Sequence, residues 1–175
     1  MITTSPVVRA ALESDIEQIT QLFLDSVDTS VPGITFSADP DYTPDKISPV
    51  LQKRLFPPRS HKTYVLELHT GEIVGYGNVK PDGGPNHDED ELDMFFVKVG
   101  LGGQGYGSQL MEAIQAEWGE HGLCVHVFQK NTRAIRFYER WGFQLIEGAE
   151  EDLELHMANG PKAETACLMR WPRTS

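Results

Sequence analysis

The residues able to do chemistry gather in two stretches of this chain. In the first, Gly100, Gly102, Gly103, Gly105 and Gly107 fall within eight residues, after an apolar run and before a helical pattern. Glycine lets backbone approach a ligand closely, because no Cβ stands in the way. The N–H groups that open the following helix attract an anion, typically a phosphate. The turn therefore predicts a phosphate-bearing ligand. Gly100-Leu101-Gly102-Gly103-Gln104-Gly105 also satisfies the dinucleotide pattern G-x-G-x-x-G. The next apolar run, however, ends in Gln129-Lys130-Asn131, with no acid to hold a ribose. No Gly-Lys-Ser/Thr occurs, which excludes a P-loop. A nicotinamide-dependent oxidoreductase is thus a remote reading.

The second stretch is acidic: Asp88, Glu89, Asp90, Glu91 and Asp93. Such runs are commonly solvated loop edges. Glu91 and Asp93 stand two apart at the start of a strand pattern, so their side chains face the same way. His87 precedes them, with the unperturbed pKa of a competent base. His61, His69, His121 and His156 form no readable arrangement, and His126, alternating within a strand, reads as structural. Cys124 and Cys167 sit in apolar stretches and read as buried, reduced thiols. Neither has a His or Cys at metal-ligand spacing, and no Ser/His/Asp constellation flanks Cys124. No metal is expected.

Elements must hold these groups in place. Val7 to Ala10 reads as a strand. Ser14, Asp15 and Glu17 announce a helix carrying Ile16, Ile19, Leu22 and Phe23. Asp28 to Pro44 reads as a long irregular loop, expected to line a substrate pocket with Phe36 and Tyr42. Ile47 to Leu55 reads as a second helix stopped by Pro57-Pro58. Thr63 to Leu68 and Ile73 to Val79 form a hairpin about Thr70-Gly71. Then come a strand over Leu92 to Val99, the glycine turn, and a helix over Ser108 to Glu120. A strand over Leu123 to Phe128 follows, then a helix over Asn131 to Trp141. Strands over Phe143 to Glu147, Leu153 to Met157 and Thr165 to Trp171 close the chain. Hairpins first and a β-α-β-α-β unit later make a mixed α+β class.

The 175 residues fit one domain over 1–175. A net charge of −11 argues against a nucleic-acid partner and permits a cationic one. No apolar run is long enough to span a membrane, and the first ten residues lack a hydrophobic signal region. A cytoplasmic location is expected.

Two segments resemble the GNAT superfamily of N-acetyltransferases. Val97 to Met111, with Gly103-Gln104-Gly105-Tyr106-Gly107, is similar to the family's pyrophosphate signature. Asn131-Thr132-Arg133-Ala134-Ile135-Arg136-Phe137-Tyr138-Glu139-Arg140-Trp141-Gly142-Phe143 is similar to its N-x-x-A-x-x-F-Y-x-x-x-G-F segment. The chain departs from the pattern at Gly102, where the family usually has Arg or Gln, and at Val99, often Pro.

The resemblance implies a three-layer fold: a central mixed, mostly antiparallel sheet of six to seven strands, flanked by about four helices. It implies acetyl-CoA as co-substrate, in a cleft where the Leu92–Val99 strand splays from Cys124–Phe128. The pantetheine arm would meet the backbone of Phe95, Phe96 and Val97, and one N–H there would stabilise an oxyanion. Gly102, Gly103, Gln104, Gly105, Tyr106, Gly107 and Ser108 would hold the pyrophosphate. Asn131 would contact the pantetheine or the neighbouring backbone. Tyr138 matches the family's general-acid tyrosine, with a core aromatic as the plainer reading. Glu91, with Asp93 second, is the expected base. The implied activity is acetyl transfer to a primary amine by direct attack in a ternary complex. The acceptor is a small-molecule or peptide amine, drawn in by the acidic stretch, and the protein is a monomer or homodimer. The alternative is an acyl-CoA-binding or regulatory domain without catalysis.

Overall fold

A computed structural model describes residues 5–56, 61–101 and 103–172. Gly102 and the expected stop at Pro57-Pro58 lie outside the described residues.

The first strand, β1 (Val7–Ala10), leads into α1 (Ile16–Ser26). The entry is fixed by Asp15, whose Oδ2 accepts the Leu12 N–H at 2.7 Å and an Arg9 guanidinium N–H at 2.7 Å. α2 (Pro44–Leu55) begins three residues earlier than its apolar pattern suggests, because Pro44 suits the first helical position. β2 (Lys62–Glu67) and β3 (Ile73–Lys80) form the expected hairpin, with Gly71 at a positive φ in its turn. β4 spans Asp90–Val97, α3 Tyr106–Trp118, β5 Leu123–Phe128 and α4 Thr132–Arg140. β6 (Gln144–Leu145), β7 (Glu151–Leu155) and β8 (Lys162–Trp171) complete one sheet.

The sheet runs β1-β2-β3-β4-β5-β8-β6, with β7 also paired to β8. It holds eight strands rather than six to seven, because the outer edge of β8 is covered in two pieces. β6 pairs at Arg170 and Met169, and β7 at Lys162 to Ala166. Every pairing is antiparallel except that of β4 with β5.

Helices cover both faces. Leu92, Val125 and Val127 join Leu110, Met111 and Ile114 of α3 and Tyr138 of α4 in one apolar cluster. On the other face Met94, Tyr76 and Val65 join Ile19 and Leu22 of α1 and Leu51 and Leu55 of α2. The α1–α2 loop makes a third cluster of Val27, Val31, Ile34 and Phe36, against which Tyr42, Phe128 and Leu155 pack. Phe36 is 2% exposed. It serves this local core and does not line an open pocket, a correction to the expectation from loop length. Its ring meets Tyr42 at 5.0 Å between centroids.

Candidate active site

The parallel pairing of β4 with β5 is two residues long: Asp90 opposite Leu123 and Glu91 opposite Cys124. From Leu92 onward the strands diverge, and the β5-facing edge of β4 has no strand partner. Phe95, Phe96 and Val97 pair only with Gly77, Tyr76 and Gly75 of β3. Backbone polar groups left over at a fork need a partner, and an extended ligand chain between the strands would supply it.

A bulge sits at the throat of this fork. Met94 pairs with Asn78 and Leu92 with Val79, so Asp93 is an extra residue in β4. Its effect shows in the packing. Leu92 points into the α3/α4 cluster, yet Met94, two residues on, points into the α1/α2 cluster. Unbroken alternation would place both on one face.

Glu91 and Asp93 both turn toward the α1/α2 face, and each is held by a partner. Asp93 accepts two hydrogen bonds from Arg54 of α2, both 2.8 Å. One Glu91 carboxylate oxygen is 2.8 Å from Nδ1 of His126 on β5. His126 alternates with Val125 and Val127, so it faces away from α3 and α4. Its Nε2 is 3.3 Å from Glu151 of β7. The hydrogen bond and charge of Glu91 raise the imidazole pKa, aided by Glu151 and Asp93, against the lowering effect of burial. This grouping was not legible from residue spacing, since β4, β5 and β7 are brought together only by sheet order.

The other acids of the run are also engaged. Glu89 accepts two bonds from Arg170, at 2.7 and 2.6 Å. Asp90 is buried and accepts the Asp82 N–H at 3.0 Å. Beyond the exposed Asp88, the run is thus neither a solvated loop edge nor an unpaired anionic patch. His87 stands apart from the fork, in an exposed turn with Nδ1 3.1 Å from the Asp82 carbonyl oxygen.

On the opposite face of the fork lies Tyr138. Phe95, Phe137 and Phe143 surround its ring at 6.3, 5.6 and 5.4 Å between centroids. Burial raises its phenol pKa, so the hydroxyl keeps its proton at neutral pH. That hydroxyl makes no hydrogen bond among the described residues. Both thiols are buried. Burial, with Glu89 and Glu91 adding to it, pushes the Cys124 thiol up to about 12, so no thiolate nucleophile is available there.

The far end of β4 runs into the glycine turn. Gly100, Gly103 and Gly105 have φ of 87°, 82° and 75°, the left-handed region that glycine tolerates. A Cβ at any of the three would meet nothing within 4 Å, so space in front of the turn is open. Gly107 differs: a Cβ there would stand 3.3 Å from the Phe137 ring, so this glycine lets α3 and α4 approach. Gly105 caps α3 without a side-chain hydrogen bond, and no acid occupies the first turn. Its leading N–H groups therefore point at open space with an uncompensated positive end, which suits a pyrophosphate. Gln104 is exposed in the turn; in the first turn of α3, Tyr106 is partly buried and Ser108 exposed. Asn131 caps α4, its Oδ1 accepting the Ala134 N–H at 3.1 Å. Of the two contacts expected of Asn131, the structure displays the one to neighbouring backbone.

Beside Asp93 the α1/α2 face opens into a pocket of about 310 Å³, lined by Val50, Lys53, Arg54, His61, Lys80 and Asp93.

The acetyltransferase (GNAT) domain family matches residues 59–145, about half of the chain, and this span contains both the fork and the glycine turn. The chain belongs to the GNAT superfamily. Among curated relatives, this GNAT domain is 34% identical over 86 residues to a spermine/spermidine N(1)-acetyltransferase of Bacillus subtilis, covering 43% of this chain and 55% of that protein. It is 38% identical over 82 residues to an uncharacterized N-acetyltransferase of Mycobacterium tuberculosis, covering 44% and 49%. The chain thus spans about half the length of the curated relatives it matches. Solved structures extend the likeness to the whole fold. An acetyltransferase from Thermus thermophilus superposes with a TM-score of 0.69 at 19% identity, over 97% of this chain and 99% of the other. A ribosomal-protein alanine N-acetyltransferase from Escherichia coli does so with 0.70 at 16%, over 98% and 96%. No helix among the described residues is long and apolar enough to cross a membrane.

Proposed function

We propose that this protein is an acetyl-CoA-dependent N-acetyltransferase that acetylates a primary amine by direct attack in a ternary complex. The observation that carries this reading is the fork. β4 and β5 part after Glu91, and the opening has a paired carboxylate on one face and an unengaged phenol on the other. The cofactor's fit rests on the open, left-handed glycine turn and the uncapped start of α3. Gly103 to Ser108 would hold the pyrophosphate on backbone N–H groups, with Gly102 between Leu101 and Gly103. Phe95, Phe96 and Val97 would hold the pantetheine arm. Acetyl-CoA, when bound, supplies the activated acyl group.

Glu91 takes a proton from the incoming ammonium, because only the neutral amine is a nucleophile. Asp93, held by Arg54, sets the bulge that aims β4 backbone at the fork. Tyr138 hydrogen-bonds the departing sulfur from the opposite face, its proton retained by burial.

The acceptor enters from the α1/α2 face. The pocket there presents Lys53 and Lys80, neither ion-paired among the described residues, beside the paired Arg54 and Asp93. Such a lining suits an acceptor whose far end is anionic better than a polycation. The test is thiol release from acetyl-CoA, with mass analysis of the amine product, across polyamines, amino acids and peptide amines. Acetylated product from at least one class supports the reading. Acetyl-CoA binding without product from any class would favour the binding-domain alternative.

A further inference from the structure

The grouping of Glu91, His126 and Glu151 has a direction. Side-chain exposure climbs along it, from 13% at Glu91 and 16% at His126 to 54% at Glu151. The contacts are 2.8 Å and 3.3 Å, made through the two different nitrogens of one imidazole. The three residues come from β4, β5 and β7, so the line crosses the sheet from the throat of the fork to the solvent side of β7.

A base at the throat of a closed fork has a difficulty of its own. Once protonated, it must lose that proton before the next turnover, and an acceptor seated above it blocks direct exchange with water. An imidazole that touches the base with one nitrogen and an exposed carboxylate with the other provides an exit. Resting on the acetyltransferase reading above, we propose that His126 and Glu151 form the proton-release path of Glu91.

The ammonium gives one proton to the Glu91 carboxylate, leaving the neutral amine to attack. At rest the neutral imidazole donates Nδ1–H to the Glu91 carboxylate; once Glu91 is protonated, exchange of the imidazole hydrogen to Nε2 frees Nδ1 to accept the Glu91 proton. His126 gives its Nε2 proton to Glu151, and Glu151 gives one to water. The net change is one proton moved from ammonium to solvent. The relay leaves hydrogen on Nδ1, where it again bonds the Glu91 carboxylate as at rest.

The charged groups facing the imidazole are Glu91 and Asp93 from β4 and Glu151 from β7; Asp93 is itself tied to Arg54 of α2. Because these acids favour imidazolium, the path opens as pH rises through a His126 midpoint above the ordinary imidazole value. Replacing Glu151 removes one of them and should move that limb to lower pH.

The experiment uses the whole chain, acetyl-CoA and the fastest amine of the panel above, and measures kcat against pH for the wild type, His126→Gln and Glu151→Gln. His126→Gln is expected to lose about 100-fold in kcat, the lower end for a proton-transfer step. The KM for acetyl-CoA should stay unchanged, and imidazole buffer should restore part of the rate. Glu151→Gln, a change at an exposed side chain, should fold normally and shift the limb downward. Wild-type kcat and pH profile in both variants, with Glu91→Gln impaired, would overturn the path and leave the acetyltransferase reading standing. Absence of turnover by the wild type on every amine would remove the reading and the path together.

Discussion

Glu91 and Tyr138 are ordinary residues made useful by what surrounds them. The carboxylate is nearly buried, yet it is kept in place by an imidazole 2.8 Å away. The phenol is buried among aromatic rings that offer it no acceptor. Replacing Glu91 by Gln keeps the shape and removes the proposed base, so kcat should fall by about 100-fold with acetyl-CoA affinity retained. A rate unchanged in that variant, followed by thiol release, would move the base elsewhere. The shared face of Glu91 and Asp93 was legible from strand alternation alone. Their partners were not: Arg54 stands 39 positions before Asp93 and His126 is 35 positions after Glu91. A lone histidine in a strand carries no mark of the carboxylates that sheet order will bring to it.

At the scale of elements, the site depends on a strand that starts early and a helix left uncapped. β4 begins at Asp90, two residues before its apolar run, because the acids there pair with β5 and side-chain partners rather than with water. Acidic residues are poor strand formers, so local pattern places that boundary too late. The bulge at Asp93 was likewise invisible, since it exists only in the register with β3. The backbone conformation of the glycine turn was legible: three positive φ values fall on Gly100, Gly103 and Gly105. Gly105→Ala should cost roughly 1–2 kcal/mol of left-handed strain and raise the KM for acetyl-CoA by about tenfold if the backbone relaxes away from the phosphate position. An unchanged KM would show that this N–H array does not bind the cofactor.

The start of α1 supplies a stability test at the same scale. Arg9 hydrogen bonds hold the Asp15 carboxyl below its usual range, aided by the Leu12 N–H and opposed by burial. A depressed carboxyl stabilises the fold above its unfolded pKa of 3.8 and loses that contribution as pH falls through the folded value. Asp15→Asn should therefore cost roughly 1–3 kcal/mol near neutral pH, with the gap to wild type narrowing below pH 3.8 in denaturant melts. A gap independent of pH would mean that packing, not the charge, is what Asp15 contributes.

For the whole molecule, the net charge of −11 suggested an anionic acceptor surface, and the structure distributes it differently. Glu89, Glu91 and Asp93 are each matched to a basic side chain: Arg170 of β8, His126 of β5 and Arg54 of α2. Class, strand order in outline, and the strand before and helix after the glycine turn followed from pattern and resemblance. β6 and β7 were expected as separate strands, but that both would cover one edge of β8 did not follow, because that register exists only in the folded sheet. Binding of acetyl-CoA to the folded state alone should stabilise the protein by about 2.7 kcal/mol at a hundredfold excess over Kd, read as a rise in Tm. The most direct test of the fork as the place of acyl transfer is a comparison of acetyl-CoA Kd and kcat between wild type and Tyr138→Phe. An intact Kd with kcat reduced about 100-fold is the predicted result; equal kcat in the two proteins would contradict a phenol acting on the departing sulfur.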